Sequence, residues 1–269
     1  MFELSSFFNS IAAILAFISL GWVISMRLND VSIVDSMWSL MFLLIAVVYA
    51  LSVESVGDRG WLALTLVGVW AIRLSGYITW RNWGDGEDSR YQEIRERNEP
   101  NFAFKSLYLI FGFQGLLALV ISLPLVVAIQ SDAPLGWLDY AGVALWLIGM
   151  VFEAGGDWQL ARFKADPDNK GKVLDSGLWA LTRHPNYFGD FCVWWGLFLI
   201  ALSAGGWWTA IAPLLMSFML LKVSGVALLE KDISKRRPKY ARYVEKTNAF
   251  FPGPPKKISE SEFVEGDAK

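Results

Sequence analysis

The sequence is poor in the residues that build soluble metal and redox sites. It holds one cysteine, Cys192, and one histidine, His184, in 269 residues. A lone cysteine excludes an internal disulfide framework and a cysteine-built zinc site, and a lone histidine leaves no material for a histidine metal cluster. Charge is scarce too: charged residues make up 19% of the chain, against about 25% in an ordinary soluble protein. The 24 basic and 26 acidic residues leave a formal charge of −2, so no bulk field attracts nucleic acid. No GxGxxG follows a strand and no phosphate-cradling P-loop is present, so no soluble nucleotide motif applies. No internal repeat is visible, which argues against an inverted-repeat transporter. What remains is apolar. Hydrophobic residues reach 54%, with 14 Trp and 18 Phe, and this composition belongs to a membrane.

A bilayer core takes about 20 mostly apolar residues per helix. Seven stretches qualify: Phe7–Met26, Val31–Val53, Gly60–Trp80, Leu107–Ile129, Gly136–Leu160, Tyr187–Ala204 and Trp207–Leu229. Only Gly205 and Gly206 separate the last two, which reads as a tight helical hairpin. The first stretch follows Glu3 rather than a basic region and lacks a small-residue cleavage site, so a retained helix is expected. The expected fold is all-α and polytopic, one seven-helix domain over residues 1–251. A proline-punctuated, acidic tail, 252–269, is expected to be disordered.

The cations set the orientation. Arg27, Arg81, Arg90, Arg95, Arg97, Lys105, Arg162, Lys164, Lys170, Lys172, Arg183 and every basic residue from Lys231 to Lys269 fall on one side. Arg59 alone falls on the other, while Arg73 and Lys222 lie within helices. The positive-inside rule then puts the N-terminus outside and the C-terminus in the cytoplasm. Two long connections, around 81–106 and 161–186, lie on the cytoplasmic side, where loop-borne chemistry would sit.

Ionisable groups at membrane depth are costly and need a reason. Asp35, Arg73, Tyr77, Glu153, Asp157, Asp190 and Lys222 all fall in the cytoplasmic half of their spans. A short Asp35 cannot snorkel far, whereas for Lys222 and Glu230 an interfacial or structural role fits as well as a functional one. Glu153 and Asp157, four residues apart, stack like charges on one helical face, which is unfavourable without cations, waters or ligand donors opposite. These positions outline a polar chamber open to the cytoplasm.

The most informative run is DSGLWALTRHPNYFGD, Asp175 to Asp190. Pro185 suits a first helical turn, and Asn186 and Asp190 then share a face one turn apart. A carboxamide beside a carboxylate suits an amide or a ribose. His184 serves equally as a helix-entry cap or as a ligand contact.

Together with FEAGGDWQLARFK before it, YARYVEKTNAFFPG after it, SIVDSMW in helix 2 and RLSGYITWRNWGDGEDSRY across helix 3, this run resembles the steroid 5α-reductase superfamily. It is closest to the bacterial branch of multi-pass proteins without assigned function, over roughly Val31 to Pro252. RHPNY alone is shared with the isoprenylcysteine carboxyl methyltransferases. The resemblance implies an NADPH-dependent reductase of a bacterial inner membrane, its active site facing the cytoplasm and its cofactor-binding half at about 136–251. By position, Asn186 and Asp190 match the family's N-x-x-G-E motif, with Asp for Glu. Asp157 matches a helix-5 acid, Lys164 the basic residue seven further on, and Lys172 another cofactor contact. Glu153 stands where the family has Asn. Arg90 and Arg183, as loop cations available to the cofactor's phosphates, complete the expected cofactor set with His184 and Tyr187. At the substrate end the family's Gln-Glu pair is absent: helix 2 offers Asp35, and helix 3 offers Tyr77 beside Arg73.

The resemblance implies hydride transfer to a conjugated, lipid-soluble enone that enters from the bilayer. A protonated Asp35 and Tyr77 would hydrogen-bond the developing enolate, unless Arg73 neutralises an ionised Asp35. Membrane lipids are the expected surroundings, no nucleic acid partner is expected, and the oligomeric state is not readable. Two other readings stay open: an S-adenosylmethionine-dependent membrane methyltransferase, and a non-catalytic scaffold or small-solute carrier.

Overall fold

Apolar runs become helices wherever polar or glycine residues can end them. The computed structural model describes residues 4–223 and 238–256, and these contain helices and no strand. In chain order they are α1 Leu4–Leu28, α2 Ile33–Ser52, α3 Asp58–Arg81 and α4 Ser89–Asn98. Next come α5 Phe102–Ile121, α6 Leu123–Ile129, α7 Trp137–Ala165 and the short α8 Leu178–Leu181. Then follow α9 Pro185–Ser203, α10 Trp207–Val223 and α11 Pro238–Lys246.

Five helices, α1, α2, α3, α5 and α7, are long and apolar enough to cross a membrane, as in an integral membrane protein. The sixth and seventh expected spans form as α9 and α10 but fall short of that standard. Asn186, Asp190 and tryptophans dilute α9, and α10 has 17 described residues. The expected fourth span, Leu107–Ile129, starts earlier and breaks at Ser122, because Pro124 enters α6 within its first turn and cannot continue a helix. Residues 224–229 of the expected last span, Glu230 and 257–269 of the expected tail lie outside the described residues.

The chain divides into two compact units: residues 1–143 with 197–213, and 144–196 with 214–269. In the first, α2 packs between α1 and α3, its neighbours in sequence. Short connections make these neighbours antiparallel. Asn29, in the left-handed region at φ 53°, turns the chain out of α1, and Asp30 Oδ1 accepts the Ser32 N–H at 2.8 Å. Phe42 and Trp70 meet edge to face at 5.7 Å in the core, beside buried Ile14, Ile45, Val67, Phe111 and Leu125. Ser39 Oγ donates across to Ala71 O at 2.8 Å, the kind of bond that ties helices where lipid gives no hydrophobic drive. Large aromatics stand exposed at both ends of α3, Trp61 at the start and Trp80 at the finish, as interfacial anchors do.

Arg59, expected as the lone cation of the outer side, is buried in the first turn of α3 against buried Asp139 of α7. Its Nε donates to Asp139 Oδ1 at 2.8 Å and its Nη2 to Oδ2 at 3.0 Å. Ser131 Oγ, Ala133 O, Pro134 O and Ser203 Oγ accept the remaining donors. Sequence separation hides this pair: the partners lie 80 residues apart.

In the second unit α7 crosses α9 backbone to backbone. A Cβ on Gly149 would lie 2.6 Å from Gly189 O, and one on Gly189 would overlap Glu153 N and Gly149 O. Only glycine permits that approach. Phe188, Phe191, Phe250 and Phe251 form an aromatic cluster with ring centroids 5.3–6.3 Å apart. Tyr240 and Tyr243 of α11 are buried beside it in sequence, and Tyr243 Oη donates to Trp179 O at 2.6 Å.

Candidate functional site

In the second unit, Gly156 and Pro185 set the geometry. A Cβ on Gly156 would already touch Pro185 Cγ at 3.0 Å, so the start of α9 lies directly on α7. That contact brings Asn186 to Asp157, Nδ2 donating to Oδ1 at 3.3 Å. Asp157 and Glu153 are both buried, one turn apart on α7, and half-buried Asp190 follows Asn186 by one turn on α9. The three acids and the carboxamide therefore share one neighbourhood at the α7–α9 contact.

The RHPN turn is stitched to the chain that follows α11. Thr182 Oγ1 donates to Phe250 O at 2.8 Å, Arg183 N to Asn248 O at 2.9 Å, and Gly253 N to Leu181 O at 3.0 Å. Arg183 Nη1 donates to Val244 O at 2.9 Å and Thr247 O at 2.6 Å, placing a cation on the carbonyl end of α11. These bonds give Arg183 a positioning role between the RHPN turn and α11. Buried His184 stacks on the Tyr187 ring, centroids 5.6 Å apart and nearly parallel.

A cavity of about 360 Å³ opens at the end of α7, lined by Gln159, Arg162, Asp166, Asn169 and Ser176 among others. Lys164 and Lys172 are exposed on the segment that carries these groups. The second unit thus offers hydrogen-bonding groups, a polar recess and several cations.

In the first unit, Asp35 sits in the first turn of α2 and is gripped by the first turn of α4. Arg90 Nη2 donates to Asp35 Oδ2 at 2.9 Å, and Tyr91 Oη donates to Oδ1 at 2.5 Å. Arg90, one of the residues expected around the cofactor, is joined to Asp35 and to Asp88, the residue that caps α4. Gln114 Nε2 in turn donates to Tyr91 Oη at 3.3 Å. The loop is latched again by Glu87, whose Oε1 accepts the Val31 N–H at 3.0 Å while Arg95 pairs with it at 2.7 Å. Arg73 and Tyr77 lie half-buried on α3, the Tyr77 ring between Trp80 at 6.0 Å and the Arg81 guanidinium at 5.8 Å.

Burial, then the negative charge of Asp35, pushes the Tyr91 phenol well above its ordinary range, so its proton stays. Burial opposes ionisation of Glu87 and Asp88, but bonds from Arg95 and Val31 N–H to the first, and from Arg90 to the second, outweigh it and hold both below the usual carboxylate range. Sequence reading missed Tyr91, Gln114, Glu87 and Asp139. Tyr91 stood within the EDSRY segment, but only folding reveals that α4 turns it toward Asp35.

Residues 21–247 match the protein family described as "Protein of unknown function (DUF1295)". An uncharacterized protein of Schizosaccharomyces pombe is 24% identical over 262 residues, covering 86% of this chain and 75% of its own. A probable O-methyltransferase of Ustilaginoidea virens is 38% identical over 65 residues, 24% of this chain and 22% of that one. A 3-oxo-5-alpha-steroid 4-dehydrogenase of Bos taurus is 35% identical over 66 residues, 24% of this chain and 26% of that one. These last two matches thus span about a quarter of each relative's length. No solved structure matches the chain. With most of its length covered, the chain belongs to the DUF1295 family, within the steroid 5α-reductase-like superfamily.

Proposed function

We propose that the chain is a membrane reductase that uses NADPH to saturate the C=C bond of a conjugated, lipid-soluble enone. The observation that carries this reading is the Asn186–Asp157 contact. It joins, across 29 residues of sequence, the two groups that the family resemblance assigns to the nicotinamide nucleotide. The short match to the bovine steroid dehydrogenase supports the same reaction class.

The donor set fits a dinucleotide. Asn186, Asp157, Asp190 and Glu153 offer acceptors and a carboxamide for ribose hydroxyls or an amide, and Lys164, Lys172 and Arg162 offer cations for phosphates. Arg183 and His184 fix the turn that carries Asn186, with Tyr187 stacked on His184. The half expected to hold the cofactor, 136–251, overlaps the second unit. When bound, NADPH supplies a hydride and leaves as NADP⁺. The chain's own work is to orient the two partners and to stabilise the oxygen on which negative charge builds, through donors such as Tyr77 and Arg73. Asp35 orders this end by holding Arg90 and Tyr91. A proton delivered to the second carbon completes the two-electron reduction. The cation bias supports an N-terminus outside with these groups toward the cytoplasm, and the reading takes the membrane as a bacterial inner membrane with substrate arriving from the bilayer.

Methyl transfer is the second reading, favoured by the match to the probable O-methyltransferase. Thermal stability of the detergent-purified protein separates the two. With NADPH near 100 times its Kd, stability should rise by about 2.7 kcal/mol, and Asn186→Ala should abolish the rise. A shift with S-adenosylmethionine alone overturns reduction in favour of methylation. No shift with NADPH, NADH or S-adenosylmethionine leaves a scaffold.

A further inference from the structure

We infer that the cavity at the C-terminal end of α7 holds the headgroup of a phospholipid that carries both a phosphate and a primary ammonium, with its chains lying along α7. Such a site goes beyond the reductase reading: Arg162 and its recess then belong to a lipid, and Lys164 and Lys172 remain for the nucleotide.

The helix itself separates the two sites. At about 100° per residue, Lys164 falls within about 20° of Asp157, the acid that meets Asn186. Gln159, Arg162 and Phe163 fall about 140–240° away, on the opposite face, and these three line the cavity. Asp166 and Asn169, just past the helix, and Ser176 complete its polar lining. The rim is held by the chain's own bonds. Asn169 Nδ2 donates to Phe163 O at 3.2 Å, and Leu178 N donates to Gln159 Oε1 at 3.0 Å. Gly177, at φ 61°, comes so near Gln159 that a Cβ there would lie 2.7 Å from Oε1.

Depth and charge name the ligand. Leu147, Ile148, Val151 and Trp158 stand exposed on α7, within about 100° of one another and on the side that leads to Arg162. This apolar stripe runs about 16 Å, a path for an acyl chain, on a helix long and apolar enough to cross a bilayer. An exposed indole such as Trp158 settles at the headgroup boundary. The Arg162 guanidinium lies over that ring, 5.5 Å from its centre, and its backbone is about 6 Å further along the helix, at the level of lipid phosphates. No carboxylate among the described residues pairs with Arg162, so its charge is open to an anion. Exposed Asp166 puts a carboxylate on the same rim. Its oxygens accept from Asp168 N and Asn169 Nδ2, and no cation among the described residues neutralises it. A wholly anionic headgroup would be repelled by that carboxylate, whereas a phosphate joined to an ammonium matches both charges.

The test uses the full-length protein in detergent, read by melting temperature and by native mass spectrometry of bound lipid. Dioctanoyl phosphatidylethanolamine should raise the melting temperature. It should bind at least about tenfold more tightly than phosphatidylglycerol, which lacks the ammonium, or phosphatidylcholine, whose quaternary amine cannot donate. Asp166→Asn, which keeps an oxygen for Asp168 N, should erase the advantage over phosphatidylglycerol. Arg162→Gln should weaken all three lipids, and if it fails to fold, the exposed Asp166 variant decides alone. No response to any lipid, equal binding of the three, or a preference that survives Asp166→Asn would each overturn the site. Glycerophosphoethanolamine or inorganic phosphate that binds as tightly as the lipid would overturn it too. NADPH reads the reductase proposal separately. Its shift should persist in Asp166→Asn, and displacement of bound lipid by NADPH would return the cavity to the nucleotide and overturn the lipid site. A lipid preference with no NADPH shift in any sample sinks the reductase reading and leaves the lipid site standing.

Discussion

Removing Asp139 should damage the protein far more than its position near a helix end suggests. Arg59 and Asp139 are 1% and 0% exposed. All three guanidinium nitrogens donate, two of them to Asp139. Asp139 Oδ2 also accepts from Gly136 N and Ser203 Oγ, each at 2.7 Å. Asp139→Ala leaves a buried cation facing a void, and breaking a buried pair from one side costs about 3–5 kcal/mol. For a chain of this size that is a fall of about 6–20 °C in melting temperature. The companion variant Arg59→Met with Asp139→Leu removes both charges. Ala133 and Pro134 are exposed, so water can replace their lost donors, and the double variant should lie closer to wild type than either single one. Tryptophan-fluorescence melting in detergent reads wild type, Asp139→Ala, Arg59→Met, Asp139→Leu and the double variant. A single variant within about 2 °C of wild type, or a double variant whose loss equals the sum of the singles, would refute the reasoning.

Acid should loosen the loop latch. Glu87 titrates below its ordinary 4.5 when folded, so its pairing stabilises above that value and is lost as pH falls through the folded value. Wild type should therefore lose melting temperature more steeply below about pH 4.5 than Glu87→Gln, and parallel acid limbs would disprove the latch. Gly189→Val should cost at least about 1–3 kcal/mol, because its side chain meets the backbone of Glu153 and Gly149. Gly76→Ala, with nothing within 4 Å of the new Cβ, should instead gain up to about 1 kcal/mol. Melting curves of the two glycine variants that shift the same way would contradict the packing described for α7 and α9.

Apolar runs are local, so the spans were legible in the sequence: Val31–Val53 and Gly60–Trp80 became Ile33–Ser52 and Asp58–Arg81. Proline chemistry was legible in part. Pro185 starts α9 as expected, while the break before Pro124 was masked by the apolar residues on both sides. Long-range polar pairing was not legible. Nothing local distinguishes Arg59 from a solvated loop arginine, because its partner comes from another helix. Nor does a polar loop announce that Tyr91 will return to Asp35, 56 residues earlier. Arg183 illustrates the converse: its motif marked it as important, but only the fold shows it fastening α11.

The two exposed tryptophans of α3 also act as a ruler. Trp61 and Trp80 are 61% and 65% exposed, and the 19 steps between them span about 28 Å at 1.5 Å per residue. Indoles settle at the headgroup boundary, so this spacing sets the bilayer thickness at which the helix stands without tilt or stretch. A hydrocarbon layer of about 27 Å is nearly matched, whereas one of about 33 Å would have to thin around the protein, at a fraction of a kcal/mol per ångström of mismatch. Thickness alone would then bias the chain toward thinner membranes, independently of any ligand it binds.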